Sequence, residues 1–177
     1  MTKRILYFLF FSILFPACSN QESDSWKEFQ DDKYGLSFEF PSDWEITPGT
    51  VRSIAHFKET EKHGIGFISI HTNVDLAREK QKFETISEAG EAYSEHILDN
   101  EVFSDVKIFS KNDTTFLDRE AISIIASGTA FNSVMKWKII LFHFKGHYYE
   151  LSGTTAEERF EEMLPVIDRV MSSLKFE

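Results

Sequence analysis

Several things are scarce in this chain, and each scarcity closes a route. Cys18 is the single cysteine among 177 residues, so no internal disulfide framework holds the fold. Crossing a bilayer as a helix takes about 20 apolar residues, and the longest such run, Ile5 to Phe15, stops far short of that. Lysine and arginine number 19 against 29 acidic residues, a net charge of −10. A surface of that sign repels phosphate backbones and argues against nucleic acid as a partner. The eight glycines are scattered, with no Gly-rich phosphate loop and no Gly-x-Ser-x-Gly elbow for a nucleophile. No internal repeat or low-complexity run is present.

The N-terminus supplies the first positive signal. Lys3 and Arg4 precede the apolar run, and Phe15-Pro16-Ala17-Cys18 closes it before the polar Ser19-Asn20-Gln21-Glu22. A basic start followed by a short apolar core reads as an export signal over residues 1–17. The junction resembles the lipobox of bacterial prolipoproteins. Ala17 matches the small residue before cleavage and Cys18 the lipidated residue, whereas Phe15 and Pro16 depart from its usual aliphatic and small positions. The resemblance implies acylation (palmitate or a related chain) at Cys18. A diacyl or triacyl anchor attaches a protein stably where a single chain is marginal. The alternative is an ordinary secretory signal in which Cys18 is incidental. Ser19 after the cysteine favours the outer membrane over the inner. Removal of residues 1–17 takes two bases and no acid, so the net charge of the mature chain becomes −12.

Residues 18–33 read as a polar, flexible tether, with Trp26 and Phe29 as isolated apolar positions, and residues 34–177 as one domain. Alternation over Leu36–Phe40 and Trp44–Ile46 predicts two short strands, followed by strands over Val51–Lys58 and Ile65–Thr72. Val74–Phe83 is charged and reads as a loop. Thr85-Ile86-Ser87-Glu88 has capping-box spacing, and Ile86, Ala89, Gly90, Tyr93 and Ile97 then repeat at helical intervals. A second β series follows. Val102–Ser110 and Thr114–Leu117 flank a turn at Asn112-Asp113, Glu120–Thr129 and Val134–Phe144 are longer, and Lys145-Gly146 makes a hairpin into His147–Ser152. Thr155-Ala156-Glu157-Glu158 repeats the capping spacing before a last helix with Phe160, Met163, Leu164, Ile167, Val170 and Met171 on one stripe. Pro165 is expected to kink or restart it. This order predicts an α+β fold with a mostly antiparallel sheet and helices on its faces.

Tyr34-Gly35-Leu36-Ser37-Phe38-Glu39-Phe40-Pro41-Ser42-Asp43-Trp44-Glu45-Ile46, with Tyr148-Tyr149-Glu150-Leu151-Ser152-Gly153 and the end at Ser173-Leu174-Lys175-Phe176, resembles the PsbP-like family across residues 34–176. The resemblance implies an α/β/α sandwich, shared with a Ran-binding import factor, and a non-enzymatic binding or assembly module. No functional residue transfers with it.

The chemistry in the chain points the same way. Of six histidines, His143 and His147 have metal-like spacing but flank the expected Lys145-Gly146 turn. His143 then faces Tyr148 and His147 faces Phe144, on opposite sides of the hairpin, so no metal site, cofactor or catalytic residue is assigned. His71 reads as a half-buried or edge residue, and Asp31-Asp32 and Glu157-Glu158 as surface. Trp44 is expected to anchor the core, with an exposed aromatic contact as the alternative, and Asp75–Lys82 to be a solvated loop that could carry recognition. The expected partners are the bilayer, through acylated Cys18, and an unidentified envelope protein. A small-ligand binder, which predicts an apolar pocket between sheet and helix, and a divergent hydrolase, which predicts a nucleophile and base in reach, are the other classes.

Overall fold

The computed structural model describes residues 25–49, 53–59, 67–72, 83–99, 101–130 and 132–177. The signal region, Cys18, His63 and the charged stretch Asp75–Lys82 lie outside the described residues. In chain order the elements are β1 (Trp26–Asp31), β2 (Leu36–Pro41), β3 (Glu45–Pro48), β4 (Ser53–Lys58), β5 (Phe67–Thr72), α1 (Ile86–Leu98), β6 (Ser104–Phe116), β7 (Arg119–Ala130), β8 (Ser133–Phe144), β9 (His147–Ala156), a 3-10 turn (Glu157–Arg159), α2 (Phe160–Ser172) and β10 (Lys175–Phe176).

Ten strands form two sheets in which every strand pair is antiparallel. The larger has seven strands in the order β3-β4-β5-β9-β8-β7-β6, and the smaller has three, β1-β2-β10. Each face of the large sheet carries its own core, as the alternation of strand side chains requires. On one face α1 places Ala89, Tyr93 and Ile97 against Ile122, Ile124, Trp137, Ile139 and Leu141. On the other, α2 and the small sheet pack together, with Ile167 and Met171 beside Phe38, Phe40, Phe57, Phe142 and Leu151. The expected α+β architecture with helices on both faces is therefore the observed one. The second sheet is the addition.

That sheet moves the domain boundary. Trp26–Asp31, read as tether, is paired with β2 throughout, from Trp26 opposite Pro41 to Asp31 opposite Leu36. Trp26 and Phe29 pack on the core, and the Phe29 ring lies 5.2 Å from Phe38 and 5.6 Å from Phe57. Two apolar residues among charges look isolated in sequence, yet at a spacing of three they become anchors once β2 supplies a partner.

The turn expected at Asn112-Asp113 is also corrected. β6 runs straight through, with Asn112 opposite Ser123 and Asp113 opposite Ile122. The reversal comes at Leu117-Asp118, both with positive φ (51° and 58°), the geometry of a two-residue hairpin whose twist suits the strands. A leucine in that conformation is costly, and packing of Leu117 on the core compensates. The Lys145-Gly146 reversal forms as expected, with φ of 47° and 83°.

Of the two capping signals, one holds. Thr85 Oγ1 accepts from the Glu88 amide at 3.2 Å, while the Glu88 carboxylate receives the Glu84 amide rather than that of Thr85. Thr155 caps nothing. It is held in β9 opposite Lys136, and α2 starts without a side-chain cap. Pro165 does not restart the helix, which is assigned unbroken over Phe160–Ser172. One buried ion pair ties β4 to the start of α2: Arg159 donates to both Glu59 oxygens, at 2.7 and 3.2 Å. This forked pairing holds the Arg159 pKa above its ordinary value, against the opposing effect of desolvation.

Candidate functional site

Three regions concentrate features that a function could use. The first is a polar row on the α1 face of the large sheet. His56, Ser69 and Ser152 occupy facing positions on β4, β5 and β9, and Ser53, His71 and Glu150 occupy the neighbouring row. Ser69 and Ser152 are buried and share a hydroxyl hydrogen bond of 2.8 Å. Ser53 Oγ lies 2.8 Å from His56 Nε2. In a regular strand, residues three apart point to opposite faces. The register shift between Ser53 and Ala55 brings this pair together, so its proximity was not legible in the spacing. Tyr93 of α1 reaches in from above and hydrogen-bonds Glu150. Burial first, then the Glu150 charge and that hydrogen bond, raise the tyrosine pKa well above 10.0. His71 is not on an edge strand, since β5 lies between β4 and β9.

The Ser53–His56 distance meets the reach expected of a nucleophile and base. The surroundings do not favour that use. Ser53 is 6% exposed, and although it borders an open cleft among the described residues, His56 is not part of that cleft's lining. That cleft, the second region, has a volume of about 490 Å³ and is lined by Asp31, Lys33, Tyr34, Ile46 and Ile54 among others. Ile46 faces Phe57 across the β3–β4 pair, and the neighbouring His56 therefore turns away from it. The cleft lies between the β1–β2 turn and β3–β4 rather than between sheet and helix, where a ligand pocket was expected. Asp31 Oδ1 accepts the Tyr34 amide at 2.9 Å, and Lys33 Nζ sits 4.7 Å from the Tyr34 ring centre. Both contacts organise the turn itself.

The third region is the free edge of the large sheet at β6, with the start of β8 two strands in. Phe109, on edge strand β6, is 56% exposed and Val134 at the start of β8 is 43% exposed. β6 carries two register shifts, between Ser104 and Lys107 and between Ile108 and Ser110, and Phe109 lies near Lys136. The ammonium of Lys136 lies 5.3 Å from the Phe109 ring centre and 4.5 Å from that of Phe160. Glu161 in the first turn of α2 pairs with the same lysine at 3.6 Å. Leu98 at the end of α1 and Val102 after it are also exposed. Val106 and Ile108 on the same strand pack on the α1 core, and Phe109 points away from it.

His143 and His147 sit opposite Tyr148 and Phe144 as the hairpin predicts, with the His143 ring 4.8 Å from that of Tyr148. Among the described residues no three His, Cys, Asp or Glu side chains gather as a metal site would require. Trp44 is buried at 7% exposure, the core anchor rather than a contact. Among the described residues no helix is long and apolar enough to cross a membrane.

Comparison with known proteins bears on the fold as a whole. A solution structure of cyanobacterial PsbP (CyanoP) from Synechocystis sp. PCC 6803 superposes with a TM-score of 0.65 at 14% identity, covering 91% of this chain and 98% of the other. LpqN of Mycobacterium tuberculosis, a protein involved in cell envelope biogenesis, matches with a TM-score of 0.58 at 9% identity, over 85% and 90% of the two chains. PA94 of Pseudomonas aeruginosa, a putative regulator of unknown function, matches at 0.56 and 9%, over 86% and 97%. At these identities the likeness shows the fold. Comparison with curated proteins gives no match. The family profile described as PsbP-like protein matches residues 17–176, nearly everything after the export signal read in the sequence, and the chain belongs to the PsbP-like family.

Proposed function

We propose that this protein is a non-enzymatic binding or assembly module of the bacterial envelope, held at a membrane through acylated Cys18. The observation that carries the reading is the exposed Phe109 on β6, the free edge of the large sheet, with the exposed Val134 two strands in on β8. Exposed apolar side chains at a sheet edge are the kind of surface that a protein partner covers. Edge strands also offer backbone groups to an added strand. The likeness to LpqN, a protein of envelope biogenesis, supports the compartment, and the lipobox-like Ala17-Cys18 supports the anchor. The outer membrane is the favoured location.

The small-ligand reading keeps one specific support, the cleft of about 490 Å³. It ranks second because charged turn residues rather than a helix form much of its wall.

The test has two parts. Intact mass and detergent partitioning of the full chain expressed in a bacterium are compared with Cys18→Ala. Acyl mass and detergent entry are expected for the wild type alone, and equal mass with aqueous partitioning for both overturns the anchor. A photo-crosslinking residue at position 109 is then compared with one at the exposed Thr114 of the same strand. A discrete envelope adduct at 109 and none at 114 is expected. Equal yields at both sites overturn the docking surface.

A further inference from the structure

We infer that the end of the domain built from Trp26, Lys27 and Arg169 rests on the lipid headgroups when the chain is anchored. The inference rests on the Cys18 attachment proposed above and adds the face that meets the bilayer. Trp26 lies eight positions after Cys18. A fully extended chain spans at most about 3.5 Å per residue, so Trp26 is held within about 28 Å of the anchored cysteine. The sequence reading allowed twice that tether. Pairing of β1 with β2 shortens it.

The residues at this end suit a membrane interface. Trp26 is half-buried, and the Arg169 guanidinium stacks on its ring at 3.7 Å while the arginine side chain remains 50% exposed. Tryptophan with an apolar body and a polar N–H, and arginine with an apolar stem and a charged head, are the side chains that settle at headgroup level. Lys27 Nζ donates to the Ser42 carbonyl at 2.7 Å, and the Ser42 amide to the Ser25 carbonyl at 2.9 Å, which fixes Ser25 and Lys27 to the β2–β3 turn. Glu39, opposite Glu28 across the β1–β2 pair, pairs with Arg169 at 3.4 Å, which offsets part of the negative charge at this end. The strongly acidic domain has no general attraction for anionic lipid. The contact is made by tethering, which raises the local concentration of a weakly interfacial surface. Trp26 lies against Arg169 in the later part of α2, whereas Phe109 lies near Lys136, which also meets Phe160 at the start of that helix. Anchor and docking surface thus sit towards opposite ends of that helix, which leaves the docking surface free of the bilayer.

Tryptophan emission reports on this directly, because Trp44 and Trp137 are only 7% and 6% exposed. The lipidated full chain is reconstituted into phosphatidylcholine vesicles, with and without lipid brominated near the headgroup, beside Trp26→Phe and Cys18→Ala. Brominated lipid is expected to quench the wild type, to lose most of that effect in Trp26→Phe, and to leave Cys18→Ala unquenched. A wild type that carries acyl mass but is quenched no more than Trp26→Phe overturns the inference and leaves the anchor intact. Quenching of Cys18→Ala equal to that of the wild type also overturns it, since the contact would then need no tether. Absence of acyl mass removes the anchor reading itself.

Discussion

Thr155 shows how a single residue can carry an unrecovered cost. Its side chain is fully buried and its hydroxyl has no hydrogen-bond partner among the described residues. A buried hydroxyl that loses water without gaining a partner costs about 1–3 kcal/mol. Thr155→Val keeps the β-branched shape and the strand preference and removes the unsatisfied group. It is expected to raise the unfolding free energy by about 1 kcal/mol, read as a higher urea midpoint at unchanged slope. A fall in midpoint would mean that the hydroxyl has a partner in solution. Ser69 and Ser152 bear the contrast, since their hydroxyls satisfy each other at 2.8 Å. The sequence reading of Thr155 as a cap rested on local spacing alone. The ladder to β8, which holds Thr155 opposite Lys136, is a long-range fact that spacing does not carry.

Between elements, α2 approaches β9 closely at Gly153. A Cβ built on Gly153 would lie 2.6 Å from Ile167 Cγ2 and 2.7 Å from Cγ1, and Ile167 is 1% exposed. Glycine is required here by the neighbouring helix and not by backbone conformation. Gly153→Ala is expected to cost about 1–3 kcal/mol through overpacking, measured by urea unfolding. Adding Ile167→Val should recover part of that cost, and additive losses in the double variant would refute direct contact. Much at this scale was legible in sequence. The stripe of α2, the face of α1 and the Lys145-Gly146 hairpin all follow from periodicity and turn chemistry within a few residues. β1 and the Leu117-Asp118 turn were not legible, because each depends on a partner supplied elsewhere: β2 for Trp26 and Phe29, and the core for Leu117.

The whole molecule answers to pH through its buried tyrosines. Tyr93 holds its proton well above 10.0, chiefly because it is buried and then because of Glu150. Tyr148 and Tyr149 shift in the same direction, mainly by desolvation. An unfolded tyrosine ionises near pH 10. Above that pH the unfolded chain releases protons that the folded chain keeps, so the tyrosine contribution is complete below pH 10 and is lost as pH rises. Unfolding free energy measured across pH 8–11.5 should therefore fall beyond pH 10, and Tyr93→Phe should make that fall shallower. An identical alkaline slope in the variant would show that Tyr93 ionises as readily folded as unfolded.

At the same scale, β6 is an edge of the large sheet. Two bulges and the exposed Lys107 and Lys111 discourage indiscriminate strand pairing. By itself the sequence determined the acidic charge, the order of most elements and the family, because these depend on composition, short-range periodicity and contiguous words. Only the tertiary structure decided the second sheet, the meeting of Ser53 with His56 and the burial of Tyr93 on Glu150. Each of these depends on cross-strand register, and a register shift of one residue moves a side chain to the opposite face without leaving a trace in the local pattern.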